Sequence, residues 1–298
     1  MRTTTCLVMA CAAAAVTLNS PAGATPAGSS QQRFREYVAL GDSWAAGATF
    51  SQITTEFVPL GCVQSADSYA KQVAAALAVP QFRDATCASA TTSDLTEPQL
   101  LPEGTSNPPQ FDRLTADTDL VTLEIGGNDA GLAGIVPKCV TTSPTVSGCT
   151  PVRTAADGGD RMSANIRAAE PKVVAAIAGI RSRAPRARIL LVDYLAGISP
   201  GRSCYPQIPI TAEDANWLGH KLIELNSMLA RVAATTEVEF VDTYTGSRDH
   251  DACRPDGVRW VEGLVPYSTA PHGPAVPFHP NQLGANHQAA QILNTLRN

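Results

Sequence analysis

Short apolar runs separated by long amphipathic stretches constrain the fold of this chain more than any other feature. The runs contain β-branched or aromatic residues and are bounded by Gly, Asp or Thr, which is typical of strands. They span residues 37–40, 120–125, 189–194 and 238–241. Because they are apolar without alternation, they predict strands buried on both faces, as in a parallel sheet. The sequence therefore predicts an α/β fold, a doubly wound and mostly parallel sheet with its site at the carboxyl ends of the strands.

Apolar residues in the intervening stretches repeat at the spacing of α-helices. The predicted helices cover residues 69–77, 166–180, 217–232 and 283–296. Pro171 is expected to kink or restart the second of them, and Ser65 and Asp67 are candidate caps for the first. No long linker divides the chain, so residues 36–298 are predicted to form a single domain.

The first 24 residues have the composition of a secretory signal peptide. Arg2 supplies a positive start, an apolar run covers residues 6–18, and small residues surround a cleavage site predicted after Ala24. The run is shorter than the roughly 20 residues of a membrane span, so no stable membrane insertion is expected. Residues 25–35 are predicted to be a flexible mature N-terminus of a secreted protein. A buried N-terminal helix is the alternative interpretation.

The cysteine content agrees with export. Cys6 and Cys11 would leave with the signal peptide. The six that remain are Cys62, Cys87, Cys139, Cys149, Cys204 and Cys253. An even number in an exported chain predicts disulfide bonds, and the sequence does not choose among the roughly 15 possible connectivities. A metal site is the alternative, but no Cys-x-x-Cys pair is present.

The charge balance argues against one class of partner. The chain has 22 Lys and Arg against 27 Asp and Glu, a formal net charge of -5. Proteins that bind nucleic acid usually carry a basic patch or excess, so no nucleic-acid partner is expected. With 44% hydrophobic residues, the chain can form a sizeable core and lacks the signature of disorder.

Polar segments beside the predicted elements supply candidate chemistry. Ser43 lies in a Gly-Asp-Ser segment after the first predicted strand, where a helix N-terminus would present its hydroxyl for attack. Asn128 lies in a Gly-Gly-Asn-Asp segment after the second, where its amide is a candidate oxyanion donor. His279 precedes the last predicted helix and is a candidate base, with His272 as its rival. Ordinary turn chemistry is the alternative for each segment.

Together these segments resemble the SGNH or GDSL hydrolases, most closely their secreted actinobacterial lipase/esterase branch. The resemblance covers about residues 36–297. It implies a flavodoxin-like sheet with helices on both faces, the SGNH hydrolase fold. It also implies Ser43 as nucleophile, Asn128 as an oxyanion donor and His279 as base, and it implies that the six cysteines pair in sequential order.

Two positions depart from the family pattern. A block that usually reads Cys-Ser-Gly-Ala-Thr reads Cys-Ala-Ser-Ala-Thr here. The oxyanion glycine therefore falls on Ser89, whose backbone N–H would act beside that of Ser43. Many members carry Asp three residues before the His, where this chain has Val276. A Ser-His dyad is therefore expected, in which the carbonyl of Val276 or Pro277 accepts the hydrogen bond from His279 Nδ1.

Other features invite a functional interpretation. Ser199 lies in a G-x-S-x-G pattern, but the prolines and glycine around it disfavour the helix that a nucleophile elbow needs. The Asp-His-Asp segment at 249–251 suggests a metal site, whereas the nearby Cys253 favours a disulfide-pinned loop. Trp260 is predicted either to wall the pocket or to be ordinary buried aromatic surface.

The expected protein is a secreted serine ester hydrolase, a lipase or esterase, that forms an acyl-enzyme on Ser43 and needs no metal or cofactor. A small-molecule or lipid ester is the expected partner, and a monomer is the expected state. Aromatic residues make up only 5% of the chain, which favours acyl lipids or simple esters over a carbohydrate acetyl ester. A non-catalytic binding module and a metal-dependent hydrolase are the remaining alternatives.

Overall fold

The computed structural model describes residue 3 and residues 34–156, 158–266 and 275–297. In chain order, its strands are β1 (Glu36–Gly41), β2 (Gln81–Asp84), β3 (Gln99–Leu100), β4 (Ser106–Asn107), β5 (Leu120–Glu124), β6 (Arg188–Val192) and β7 (Glu239–Val241). Five of these form a parallel sheet in the order β2-β1-β5-β6-β7, and β3 and β4 form a separate antiparallel pair. Counted within the main sheet alone, the order is 2-1-3-4-5, which is flavodoxin-like. The predicted fold class is confirmed.

Helices cover both faces of the sheet. In chain order, the α-helices of the described residues are α1 (Tyr69–Ala76), α2 (Leu132–Ile135), α3 (Thr150–Arg153), α4 (Arg161–Arg183), α5 (Ala212–Thr236), α6 (Tyr244–Ser247) and α7 (Gln282–Arg297). Val38 and Leu40 of β1 belong to the core cluster that contains α4 and α5. Tyr37 and Ala39 belong to the cluster that contains α1 and α7. Burial on both faces explains why the central strands are continuous apolar runs.

The edge strand β2 is absent from the sequence prediction. Its residues Gln-Phe-Arg-Asp contain no apolar run, because an edge strand leaves much of its surface to solvent. Its two charged side chains are paired instead. Arg83 contacts Glu36 at 2.7 Å, and Lys71 contacts Asp84 at 2.7 Å. The four predicted strands are confirmed, with ends displaced by up to two residues.

Two details of the helices differ from the prediction. Pro171 does not restart the second predicted helix, because α4 continues through it. The proline lies on the exposed face of the helix, as does Arg167, whose carbonyl loses its helical donor and can be solvated instead. The N-cap of α1 is Ser68 rather than Ser65 or Asp67, and the Ser68 hydroxyl donates to Asp84 instead of capping the helix.

Three disulfides each join one cysteine to the next cysteine along the chain. The pairs are Cys62–Cys87, Cys139–Cys149 and Cys204–Cys253. This is the pairing that the family resemblance implies.

The predicted signal peptide and its cleavage site lie outside the described residues, apart from residue 3. Phe34, within the segment predicted to be flexible, is 4% exposed, and the Arg35 N–H donates to the Asp119 carboxylate. Within the described part of the chain, no helix is both long enough and apolar enough to cross a membrane.

Candidate active site

The carboxyl ends of β1 and β5 bring the first two candidate segments together. Gly41 and Glu124 are register partners at the ends of these strands, and the Asp42 N–H donates to the Glu124 carbonyl at 3.0 Å. A Cβ on Gly41 would lie 2.5 Å from that carbonyl oxygen, and the φ of Gly41 is +151°. Only glycine allows so close an approach. Ser43 and Asn128 therefore lie at one edge of the sheet.

Ser43 follows β1 on a tight turn and not at the start of a regular helix. The Ala46 N–H donates to the Asp42 carbonyl and the Ala48 N–H to the Ser43 carbonyl, each at 2.9 Å, but α1 begins only at Tyr69. The expectation of a helix N-terminus at Ser43 is wrong. The turn is fixed instead by the Asp42 carboxylate, which accepts the Trp44 N–H at 2.9 Å.

His279 lies beside Ser43 although 236 residues separate them. Its Nε2 is 2.7 Å from Ser43 Oγ, and its Nδ1 is 2.8 Å from the Pro277 carbonyl oxygen. The Val276 carbonyl accepts the backbone N–H of His279 at 3.1 Å. Of the two candidate carbonyls, that of Pro277 therefore faces the ring nitrogen. Burial lowers the pKa of His279 to about 4, and the hydrogen bond from its ring to the Pro277 carbonyl opposes this shift.

Asn128 and Asp129 connect the loop after β5 to the segment that contains Ser89. Asn128 Nδ2 donates to the Ala90 carbonyl at 2.9 Å, and the Asp129 carboxylate accepts both the N–H and the hydroxyl of Thr92. An amide nitrogen has two N–H groups, so the second remains for a ligand. Ser89 has φ +63°, the left-handed region that suits the glycine of the family pattern. It is exposed and does not line the cleft beside Ser43, so its role stays a prediction.

An apolar cleft of about 390 Å³ opens beside Ser43, a size typical of small-molecule sites. Its walls include Leu218 and Leu222 of α5, the segment 132–133, and Phe278. The sequence pattern places the two leucines on the apolar stripe of a helix but does not distinguish a core position from a cleft wall. We call this space the apolar cleft.

Two buried residues of the site are missing from the sequence prediction. Gln110 makes two hydrogen bonds to Gly41, accepting its N–H at 2.8 Å and donating to its carbonyl at 2.9 Å. Tyr194 donates to Asp42 at 2.6 Å and accepts the Gly127 N–H at 2.9 Å. Both connect segments that are distant in sequence, and no local pattern marks such contacts. Burial raises the pKa of Asp42 to about 7, against the effect of the Tyr194 hydrogen bond.

The other candidates lie outside the Ser43–His279 pair. The Ser199 hydroxyl donates to the Arg248 carbonyl at 2.7 Å, and no regular helix follows it before α5. Asp251 accepts the N–H groups of Ser199 and Cys253, which fixes the 249–251 loop. Among the described residues, no group of three His, Cys, Asp or Glu has the arrangement of a metal site.

The remaining two candidates are Trp260 and His272. Trp260 stacks on His250 with ring centroids 3.8 Å apart and does not line the apolar cleft, so the interpretation as packed aromatic surface holds. His272 lies outside the described residues.

Known proteins are similar to this chain in sequence and in fold. The GDSL-like lipase/acylhydrolase family matches residues 39–286 of the chain. The chain is also 33% identical over 284 residues to Lipase 2 of Streptomyces coelicolor, which covers 93% of this chain and 88% of that protein. The chain belongs to the GDSL-like lipase/acylhydrolase family. It is therefore a carboxylic ester hydrolase of the lipase/esterase type, and the resemblance to SGNH hydrolases is confirmed.

Two solved structures show how far the GDSL fold is shared. Phospholipase A1 from Streptomyces albidoflavus has a TM-score of 0.64 and 23% identity, covering 88% of this chain and 98% of that one. The extracellular lipase from Streptomyces rimosus has the same score and identity, covering 87% and 98%. At this identity the likeness concerns the fold alone.

Proposed function

We propose that this GDSL hydrolase cleaves esters of acyl chains through an acyl-enzyme on Ser43, with His279 as general base and acid. One observation carries the proposal. Ser43 Oγ lies 2.7 Å from His279 Nε2 at the wall of the apolar cleft. A serine hydroxyl is a weak nucleophile unless an adjacent base takes its proton, and this distance allows that transfer.

The reaction has two halves. Ser43 Oγ attacks the ester carbonyl carbon while His279 Nε2 takes the hydroxyl proton. The tetrahedral adduct then collapses, the bond from the carbonyl carbon to the alcohol oxygen breaks, and the imidazolium returns the proton to the leaving alcohol. In the second half, water attacks the acyl-enzyme, Nε2 takes a proton from the water, and the carboxylic acid leaves as Ser43 regains its proton.

Asn128 is the proposed side-chain donor to the oxyanion. Its amide is held by the Ala90 carbonyl, which leaves one N–H for the adduct. The backbone N–H groups of Ser43 and Ser89 are the proposed further donors. A donor that is held in position before the reaction, as the Asn128 amide is by Ala90, stabilises the developing charge without reorganising.

The apolar cleft favours an acyl chain as the specificity-determining part of the substrate. Leu218, Leu222 and Phe278 offer dispersion contacts and no hydrogen bonds, which suits a hydrocarbon better than a sugar. The similarity to the relative named Lipase 2 also supports an acyl chain as this part of the substrate. A carbohydrate acetyl esterase on the same scaffold is the alternative.

We further propose that the protein is exported and acts as a monomeric single domain. The N-terminal sequence supports export, as do the three disulfides, since such bonds persist in oxidising compartments. The Streptomyces rimosus relative in fold is described as extracellular.

Rates on nitrophenyl esters from acetate to palmitate test the proposal. The wild type should prefer acyl chains longer than acetate, and Ser43→Ala should lose turnover with every ester. Ser199→Ala is the matched control, because it removes a serine hydroxyl from the rival motif, and it should keep its activity. Preference for acetate alone, with release of acetate from acetylated glycans, would favour the carbohydrate esterase. An active Ser43→Ala variant would reject the serine mechanism.

A further inference from the structure

The hydroxyl of Tyr194 lies between the two loops that carry Ser43 and Asn128. It is 2.6 Å from Asp42 Oδ2 and 2.9 Å from the backbone nitrogen of Gly127. Asp42 immediately precedes Ser43, and Gly127 immediately precedes Asn128. The Tyr194 hydroxyl therefore connects the residue before Ser43 to the residue before Asn128. Ser43 and Asn128 are the two residues proposed to act on the ester.

The chemistry of the partners fixes the direction of both hydrogen bonds. The Gly127 N–H can only donate, so Tyr194 Oη accepts from it and donates its own O–H hydrogen bond to the Asp42 carboxylate. The other oxygen of Asp42 accepts the Trp44 N–H at 2.9 Å. Asp42 thus joins the residue after Ser43 to Tyr194. Tyr194 and Asp42 are each 2% exposed, and hydrogen bonds in such a site are stronger than in water and costly to break.

Tyr194 itself is held by α5. Its N–H donates to Asn226 Oδ1 at 3.1 Å, and Asn226 Nδ2 donates back to its carbonyl at 2.7 Å. The tyrosine ring also packs edge-on against Trp44, with centroids 5.4 Å apart. The hydroxyl is therefore a fixed point, to which both loops are attached.

The sequence of the second loop fits this contact. A Cβ on Gly127 would lie 3.0 Å from Tyr194 Oη and 3.1 Å from Cζ. A side chain at this position would press on the hydroxyl and lengthen its bond to the backbone nitrogen. The glycine before Asn128 allows the loop to approach Tyr194.

We propose that Tyr194 is a positioning residue for oxyanion stabilisation, whose hydroxyl sets the spacing between the Ser43 loop and the Asn128 loop. The inference rests on the proposed serine mechanism. Tyr194 borders the apolar cleft, but its hydroxyl is bonded to Asp42 and Gly127. Loss of that hydroxyl should therefore affect the transition state, in which both loops must contact one oxygen atom, more than the binding of the ground-state ester.

Tyr194→Phe tests this role, with Tyr37→Phe as the matched control. Tyr37 is also buried in the sheet, and its hydroxyl shares a 2.8 Å hydrogen bond with Thr122 of β5. Displacing catalytic groups by about 1 Å can cost roughly 100-fold, so Tyr194→Phe should lower kcat by about 10- to 100-fold and change KM by less than about twofold. Tyr37→Phe should keep kcat within about twofold while losing comparable thermal stability.

A double-mutant cycle tests whether Tyr194→Phe lowers kcat by displacing Asn128. In an Asn128→Ala background, Tyr194→Phe should lower kcat much less than in the wild type. A boronic acid that forms a tetrahedral adduct on Ser43 should bind Tyr194→Phe more weakly by the same factor as the fall in kcat/KM. If Tyr194→Phe does not fold, Gly127→Ala disturbs the same hydrogen bond from the other side and should show the same loss in kcat at unchanged KM.

The outcomes separate this inference from the proposed function. If Ser43→Ala is inactive and Tyr194→Phe matches Tyr37→Phe, the positioning role is overturned and the serine mechanism stands. The positioning role is also overturned if Tyr194→Phe lowers kcat by the same factor in the wild type and in the Asn128→Ala background. An active Ser43→Ala variant overturns the serine mechanism itself.

Discussion

His279 Nδ1 lies 2.8 Å from the Pro277 carbonyl oxygen, where a serine triad would place a carboxylate. A carbonyl can only accept, so Nδ1 carries the proton and Nε2 keeps its lone pair for the proton of Ser43. The carbonyl fixes the tautomer as a carboxylate would. Because it is neutral, it stabilises the imidazolium less than a carboxylate would, and it only partly opposes the burial that lowers the pKa of this ring.

The first prediction concerns the acid limb of the pH profile. The value of kcat/KM should rise as the pH increases through about 4, because His279 is neutral, and able to take the Ser43 proton, only above its lowered pKa. Initial rates at low substrate concentration over a pH series measure this limb. An inflection near 6.5, the ordinary value for His, that persists in Asp42→Asn would contradict the account.

Asp42 can also titrate in this pH range. A second inflection near 7 would belong to Asp42, whose pKa burial raises, and Asp42→Asn should remove it.

The lowered pKa of His279 also affects stability. The unfolded chain has His279 at its ordinary pKa and binds a proton first as the pH falls. The free energy of unfolding should therefore decrease as the pH falls from about 6.5 to about 4. Denaturant titrations at these two pH values should show the decrease.

The second prediction concerns Asn128. Asn128→Ala should lower kcat by about 100- to 1,000-fold with little change in KM, because the lost donor contacts charge that exists only in the transition state. Asn165→Ala is the matched control. Asn165 also donates its amide to a carbonyl of this loop, that of Ala130 at 3.1 Å, but it does not line the cleft. Equal losses in the two variants would show that Asn128 only supports the loop.

The third prediction concerns acyl-chain length. Leu218 lines the apolar cleft from α5, and Leu218→Trp should occupy part of the space proposed for the acyl chain. The ratio of kcat/KM for octanoate over acetate should fall by about tenfold or more, since each lost methylene contact alone is worth roughly that factor. His220→Trp places the same bulk on the exposed side of the same helix and should leave the ratio unchanged. An unchanged ratio in Leu218→Trp would place the acyl chain elsewhere.

The sequence predicts the elements whose environment is uniform along their length. β1 and β5 are buried on both faces and therefore read as apolar runs, and the ends of these strands locate Ser43 and Asn128. His279 is found because it lies between two prolines, just before the last predicted helix. The edge strand β2 is missed because two of its four residues are charged and paired, as Arg83 is with Glu36, so the strand contains no apolar run.

What the sequence does not predict depends on contacts between distant residues. Tyr194 is assigned to the end of a strand, but its hydroxyl contacts Asp42, which lies 152 residues away. Leu218 is assigned to a core stripe, because hydrophobic spacing is the same for a packed face and for a cleft wall. The helix expected at Ser43 is replaced by a single turn, since the Asp42 carboxylate fixes the backbone without one.

Covalent labelling with a fluorophosphonate, followed by peptide mapping, tests the central claim most directly. The account predicts a label on the peptide that contains Ser43, no label there in Ser43→Ala, and much slower labelling in His279→Ala, because the reagent needs the hydroxyl that His279 activates. A label on Ser199, or an active wild-type enzyme that carries no label on Ser43, would contradict it.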